Sequence, residues 1–112
     1  SVDLVLHLES AIKQNPALQI LVEGHSLGGA IVSMLAVQLS RSPVIRSAMT
    51  VITLAAPAPG DAEFADFYNR SVPVSYRIWN PWDVVPHAPP ACLGFLQVAG
   101  PGDKLSPTCD QM

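Results

Sequence analysis

The stretch Leu18-Gln19-Ile20-Leu21-Val22-Glu23 is short, apolar and rich in branched side chains, and it runs without a spacer into Gly24-His25-Ser26-Leu27-Gly28-Gly29-Ala30. From Leu27 to Ser40 nearly every residue is again apolar or small. This order predicts a buried strand over Leu18 to Glu23, a glycine-rich turn, and a helix over Leu27 to Ser40 that is covered on most sides. Few architectures accept a strand that feeds straight into a covered helix, and the commonest is a layered α/β sheet.

The rest of the chain alternates in the same way. Leu4, Val5, Leu8, Ala11 and Ile12 recur at helical spacing, so Val2 to Gln14 reads as an amphipathic helix that ends at Asn15-Pro16, with Glu9 and Lys13 paired along its surface. Ala48 to Ala55 reads as a second strand, broken by Pro57-Ala58-Pro59-Gly60. Asp61 is placed to cap a helix running to about Arg70. Val74 to Trp79 alternates as a third strand, the turn Asn80-Pro81-Trp82-Asp83 follows, and a last short strand is expected over Leu93 to Val98. The fold class is α/β: a mostly parallel sheet of about four strands, covered by helices on both faces.

At 112 residues the chain is at most one domain, and 49% hydrophobic against 13% charged residues gives it a large core for that length. A net charge of −3, with no basic cluster, argues against nucleic acid as a partner. No apolar run reaches the roughly 18 residues of a membrane span, so no transmembrane segment is expected. Secreted and cytoplasmic locations both stay open. Cys92 and Cys109 bracket a loop containing Gly and Pro; a disulfide there would contribute on the order of 3 kcal/mol, and two free thiols fit the sequence equally well. No C-x-x-C and no His/Cys cluster at zinc spacing is present, so no metal site is expected.

The spacing G-x-S-x-G around Ser26 is weak by itself, since it arises by chance in roughly one chain in thirty of this length. Its context gives it weight. A nucleophile elbow needs a strand before the serine, a helix after it, and small residues two positions to either side, here Gly24 and Gly28. Ligands of parallel α/β sheets bind at the C-terminal ends of the strands. Ser26 follows the first strand and Asp83 the third, so both belong to that edge. A serine hydroxyl is a poor nucleophile until a histidine takes its proton, and the histidine needs a carboxylate to fix its tautomer. The chain order for this architecture is Ser, then Asp or Glu, then His. Asp83 meets the second term, with an Asx-type turn residue as its plainer reading. His87 is the histidine that follows it, but only four residues on and among Pro86, Pro89 and Pro90, which restrict its folding back over the carboxylate. His25 reads as structural support of the elbow, and His7 as a solvated surface residue.

With "GHSLGGA", "TLAAPAPGDAEFADFYN" and "NPWDVVPHAPP" in order, the chain resembles the class 3, fungal-type lipases of the α/β-hydrolase superfamily over most of Val22 to Pro90. The resemblance implies Ser26 as nucleophile, Asp83 as the triad acid, the Leu27 backbone N–H as one oxyanion donor, and acyl ester hydrolysis without a cofactor. Residues 1–112 are then part of a single α/β-hydrolase domain, incomplete at both ends. The chain departs from the family at Ala58, where an arginine is usual. It also has no histidine between Leu93 and Met112, where the family's base would fall, and the second oxyanion donor would precede Ser1.

The expected function is that of a serine carboxylic ester hydrolase, triacylglycerol lipase-like, working through a Ser-Asp-His triad and an acyl-enzyme. Its partners are then an acyl ester or lipid substrate, with transient contact to a lipid interface. The rival readings are a phospholipase or feruloyl-type esterase on the same scaffold, and a non-catalytic binding module that keeps the elbow but has no base.

Overall fold

The computed structural model of the chain describes residues 2–89 and 93–98. Cys92 and Cys109 lie outside them, and with them the question of a disulfide. Helix α1, Val2–Gln14, stops where Asn15 turns the chain: its side chain accepts from Ala17 N–H at 3.3 Å and its carbonyl from Leu18 N–H at 3.0 Å. Strand β1, Ile20–His25, starts and ends two residues later than the apolar run suggests and leads into α2, Leu27–Leu39. A further helix, α3, Pro43–Ala48, precedes β2, Met49–Leu54. Then come the two-residue strand β3, Gly60–Asp61, helix α4, Ala62–Ser71, strand β4, Ser75–Ile78, a 3-10 turn at Val85–His87, and the two-residue strand β5, Phe95–Leu96.

The three longer strands form one parallel sheet in the order β1-β2-β4, registered from Ile20↔Met49 to His25↔Leu54 and from Val51↔Ser75 to Leu54↔Ile78. The expected last strand does not join it. Only Phe95–Leu96 is extended, and it pairs antiparallel with Gly60–Asp61 in a separate ribbon. Gly94, at φ 87°, turns the chain immediately before it, a conformation glycine adopts at little cost.

Helix α2 packs across β1 and β2. Side chains on a strand alternate between faces, so Val22, Met49, Val51 and Thr53 point into the core, with Val51 fully buried. Ala36, Val37, Leu39, Ile45, Ala65, Tyr68 and Ile12 complete that core. The other face carries Leu21, Glu23, His25, Tyr76 and Ile78, all exposed. Cover on both faces was the expectation; among the described residues one face has it. The same correction applies to α2, whose Leu27, Ile31 and Met34 form an exposed stripe at helical spacing. No helix of the described residues is long and apolar enough to cross a membrane.

Two local details follow from side-chain chemistry. Asp61 caps α4 as anticipated, its Oδ1 accepting from Phe64 N–H at 2.9 Å. Ser42 caps α3, with Pro43 at the first helical position, and its hydroxyl donates to Glu9 Oε1 at 2.6 Å. Glu9 is therefore engaged with α3, and no Glu9–Lys13 ion pair forms among the described residues.

Tyr68 is 1% exposed, and burial pushes its phenol up from the ordinary value of 10.0. Because the folded state favours the protonated phenol, this contribution to stability is fully present below about pH 10 and is lost as pH rises through the folded value. The expected result is that the stability advantage of wild type over Tyr68→Phe shrinks above about pH 10. Urea unfolding of both proteins at neutral and alkaline pH measures it.

Candidate active site

Ser26 links β1 to α2 with φ 55° and ψ −127°, in a region that residues with a side chain rarely enter. Such a conformation costs about 1–3 kcal/mol and needs surrounding structure to hold it. Its N–H donates to Leu54 O at 2.8 Å, prolonging the β1–β2 ladder, and its carbonyl accepts from Gly29 N–H at 2.9 Å. Ser26 occupies the N-cap position of α2, yet its hydroxyl caps no helical N–H. An ordinary turn serine would use it there. The strained backbone thus keeps the Oγ out of the helix it precedes.

The glycines divide by role. A Cβ on Gly24 would collide with the Gly28 carbonyl and lie 2.8 Å from Val32 Cγ2, and one on Gly29 would collide with Ala56 Cβ. A Cβ on Gly28 would meet nothing within 4 Å. The close approach behind the turn is therefore made at Gly24 and Gly29. Gly28 stands at the second helical position with open space beside it. Gly24→Ala and Gly29→Ala should each destabilise the chain by about 1–3 kcal/mol through overpacking. Gly28→Ala should be neutral or stabilising by up to about 1 kcal/mol through helix propensity. The shift in the urea unfolding midpoint distinguishes the three.

Leu27 is the first residue of α2, so its N–H is among those no carbonyl of the helix can reach, at the positive end of the helix dipole. Beside it, at the end of β2, Ala55 also has a positive φ of 52°, and its N–H donates to Ile78 O at 2.8 Å. The two strained residues follow the sheet's last rung, His25-Leu54-Ile78, so the edge that ought to bind a ligand is also where backbone strain collects.

Asp83 lies five residues beyond Ile78, in the chain that leaves the C-terminal end of β4. The turn before it is held by one side-chain and one backbone bond: Asn80 Oδ1 accepts from Trp82 N–H at 3.0 Å, and Asp83 N–H donates to the Asn80 backbone carbonyl at 3.0 Å. Asp83 Oδ1 accepts from Val85 N–H at 3.0 Å. The Asx-turn role is thus present, and it orients the carboxylate through one oxygen. Trp82, next to it, is 92% exposed.

His87 is held elsewhere. Its ring meets the Trp79 ring edge-on at 5.0 Å between centroids, with the Arg77 guanidinium 5.5 Å from the same indole. No hydrogen bond joins His87 to Asp83 among the described residues. The neighbouring Pro86 carbonyl accepts from Gln97 Nε2 at 2.7 Å and from Arg77 Nη2 at 3.4 Å. Gln97 Nε2 also donates to Ala56 O at 3.0 Å, tying the end of β2 to this loop. Neither Ala55 nor Gln97 stands out in the sequence: alanine carries no mark of a positive φ, and a lone glutamine carries none of a staple. His25 is exposed on the open sheet face.

The sequence profile described as Lipase (class 3) matches residues 3–93. A lipase of Caenorhabditis elegans is 35% identical over 102 residues, covering 89% of this chain and 29% of the relative. The solved structure of a Rhizomucor miehei lipase in complex with its propeptide superposes with a TM-score of 0.74 at 38% identity, covering 85% of this chain and 31% of that one. A triacylglycerol lipase whose catalytic centre is described as a serine protease triad superposes with a TM-score of 0.73 at 34% identity, covering 83% and 36%. The chain thus spans about a third or less of the length of the proteins it matches.

Proposed function

Since the chain belongs to the class 3 lipase family, sharing part of its α/β-hydrolase fold, we propose that it supplies the nucleophile and the acid of a serine ester hydrolase acting on lipid-like acyl esters. The observation that carries the reading is the backbone of Ser26, strained at φ 55° between a parallel strand and a helix while its hydroxyl caps nothing.

In this reading Ser26 Oγ attacks the ester carbonyl and its proton passes to a histidine. The Leu27 N–H, aided by the α2 dipole, donates to the developing oxyanion. Asp83 holds the histidine's tautomer and stabilises its cation, while the Val85 N–H keeps the carboxylate in place. Collapse transfers the histidinium proton to the leaving oxygen, expels the alcohol and leaves an acyl group on Ser26, which water removes with the histidine, neutral again, as base. The substrate class is supported by the family and by the triacylglycerol lipase among the matching structures.

The packing of His87 on Trp79 argues that the base comes from elsewhere in an active polypeptide. His87→Ala should then change ester turnover by about tenfold or less, compared with the roughly 10²–10⁴ a general base supplies. Kinetics on triacylglycerol, phospholipid and feruloyl esters would separate the lipase reading from the two related esterases. Acyl ester binding without turnover, in a polypeptide that has a histidine downstream of residue 112, would favour a non-catalytic module.

A further inference from the structure

Gln97 is anchored on both sides. Before it, Phe95–Leu96 pairs with Gly60–Asp61; after it, Val98 is buried in the main core. Held between these anchors, its side-chain amide reaches two backbone carbonyls from distant parts of the chain. Nε2 donates to Ala56 O at 3.0 Å and to Pro86 O at 2.7 Å. A primary amide has two N–H protons, one for each carbonyl, and turning it round would set its oxygen against two others. Oε1 accepts no bond among the described residues, so Gln97 serves there as a donor alone.

Each carbonyl belongs to one half of the proposed site. Ala56 follows the strained Ala55, is 3% exposed, and is the residue that a Cβ on Gly29 would strike, so the first turn of α2 rests on it. Gly29 N–H donates to the Ser26 carbonyl at 2.9 Å within that turn. Pro86 is the middle residue of the 3-10 turn Val85–His87, whose Val85 N–H donates to Asp83 Oδ1 at 3.0 Å. One amide thus joins the floor of the Ser26 turn to the turn that orients Asp83. The sheet itself does not, because β4 ends at Ile78. Arg77 Nη2 also reaches the Pro86 carbonyl, but at 3.4 Å, where a hydrogen bond is weak. The backbone bond from Ala58 N–H to Ala88 O, at 2.8 Å, fastens the same loop further from Asp83.

We propose that Gln97 is a positioning residue: its amide holds the Asp83 turn in register with the end of β2 and with the Ser26 turn packed on it. This rests on the reading of Ser26 and Asp83 given above. Register matters there because a misplacement of about 1 Å in a catalytic group can cost about 10² in rate.

Hydrogen exchange of single amides in the 112-residue chain tests this without a substrate. The reporter is Val85, whose N–H donates to Asp83 Oδ1, and the reference is Val51, whose N–H donates to Val74 O at 3.0 Å within the sheet. Gln97→Met keeps the length of the side chain and removes both donors. In it the Val85 amide should exchange about tenfold faster relative to Val51, because the loss is confined to the loop the amide held. Gln97→Asn keeps the amide but draws it back by one methylene, so that it cannot reach both carbonyls. It too should raise the ratio more than about twofold, and it decides the matter if the methionine variant does not fold. A ratio within about twofold of wild type overturns the proposal, as does equal acceleration at both amides, which would leave Gln97 as a support of the fold at large. The ratio needs no turnover, so its failure is distinct from failure of the ester-hydrolase reading, which would show as hydrolysis retained in Ser26→Ala.

Discussion

Replacing Ser26 with alanine is expected to abolish ester hydrolysis in any active polypeptide that carries this segment, and Asp83→Asn to lower it by about 10⁴. The two losses have different origins. Alanine removes the attacking oxygen and relieves no packing defect, since the Ser26 hydroxyl caps nothing. Asparagine keeps an acceptor for the Val85 N–H, so the turn at Asp83 survives. It cannot hold the base histidine in the tautomer that accepts the serine proton, so the loss is chemical. Initial rates with p-nitrophenyl butyrate measure both, and circular dichroism verifies that the asparagine variant is folded. Full turnover in Ser26→Ala would end the assignment.

The 112-residue chain by itself is expected to show no useful Ser26-dependent hydrolysis and to self-associate. Among the described residues β1 pairs only with β2, so its outer edge presents unpaired backbone N–H and C=O groups. The open sheet face carries Leu21 on β1 and, at the opposite edge, Tyr76 and Ile78 on β4, and α2 adds Leu27, Ile31 and Met34. Apolar surface next to a bare strand edge is a template for another chain. Catalysis fails separately: His87 packs on Trp79, and an oxyanion held by the Leu27 N–H without a second donor loses about 3–4 kcal/mol of stabilisation. Light scattering and the butyrate assay on wild type and Ser26→Ala measure the two parts. A monomer with Ser26-dependent turnover would make His87 the base.

Elements with a local cause were legible in the sequence. Helix α1 has its period, the elbow has its glycines, and Asp61 and the Asn80-Pro81 turn have side chains that bond their own backbone. Helix α3 had a signal too, Ser42 followed by Pro43, but at six residues it is too short for a period to show. The open sheet face was hidden for a different reason. Leu21, Tyr76 and Ile78 are apolar enough to predict burial, and burial depends on what lies opposite, which no strand encodes. The site shows the same division. The strain at Ser26 could be anticipated because glycines must surround it, whereas the strain at Ala55 and the packing of His87 on Trp79 depend on strands brought together by the fold.

Covalent labelling tests the identity of the nucleophile most directly. Without its base an elbow serine still stands at the end of a helix dipole beside a free N–H, and a single phosphonylation over hours requires far less than turnover. After prolonged treatment of the 112-residue chain with a fluorophosphonate, peptide mass spectrometry should place the adduct on Ser26, and the adduct should vanish in Ser26→Ala. Adducts spread over the other hydroxyls, with no excess at Ser26, would contradict the account.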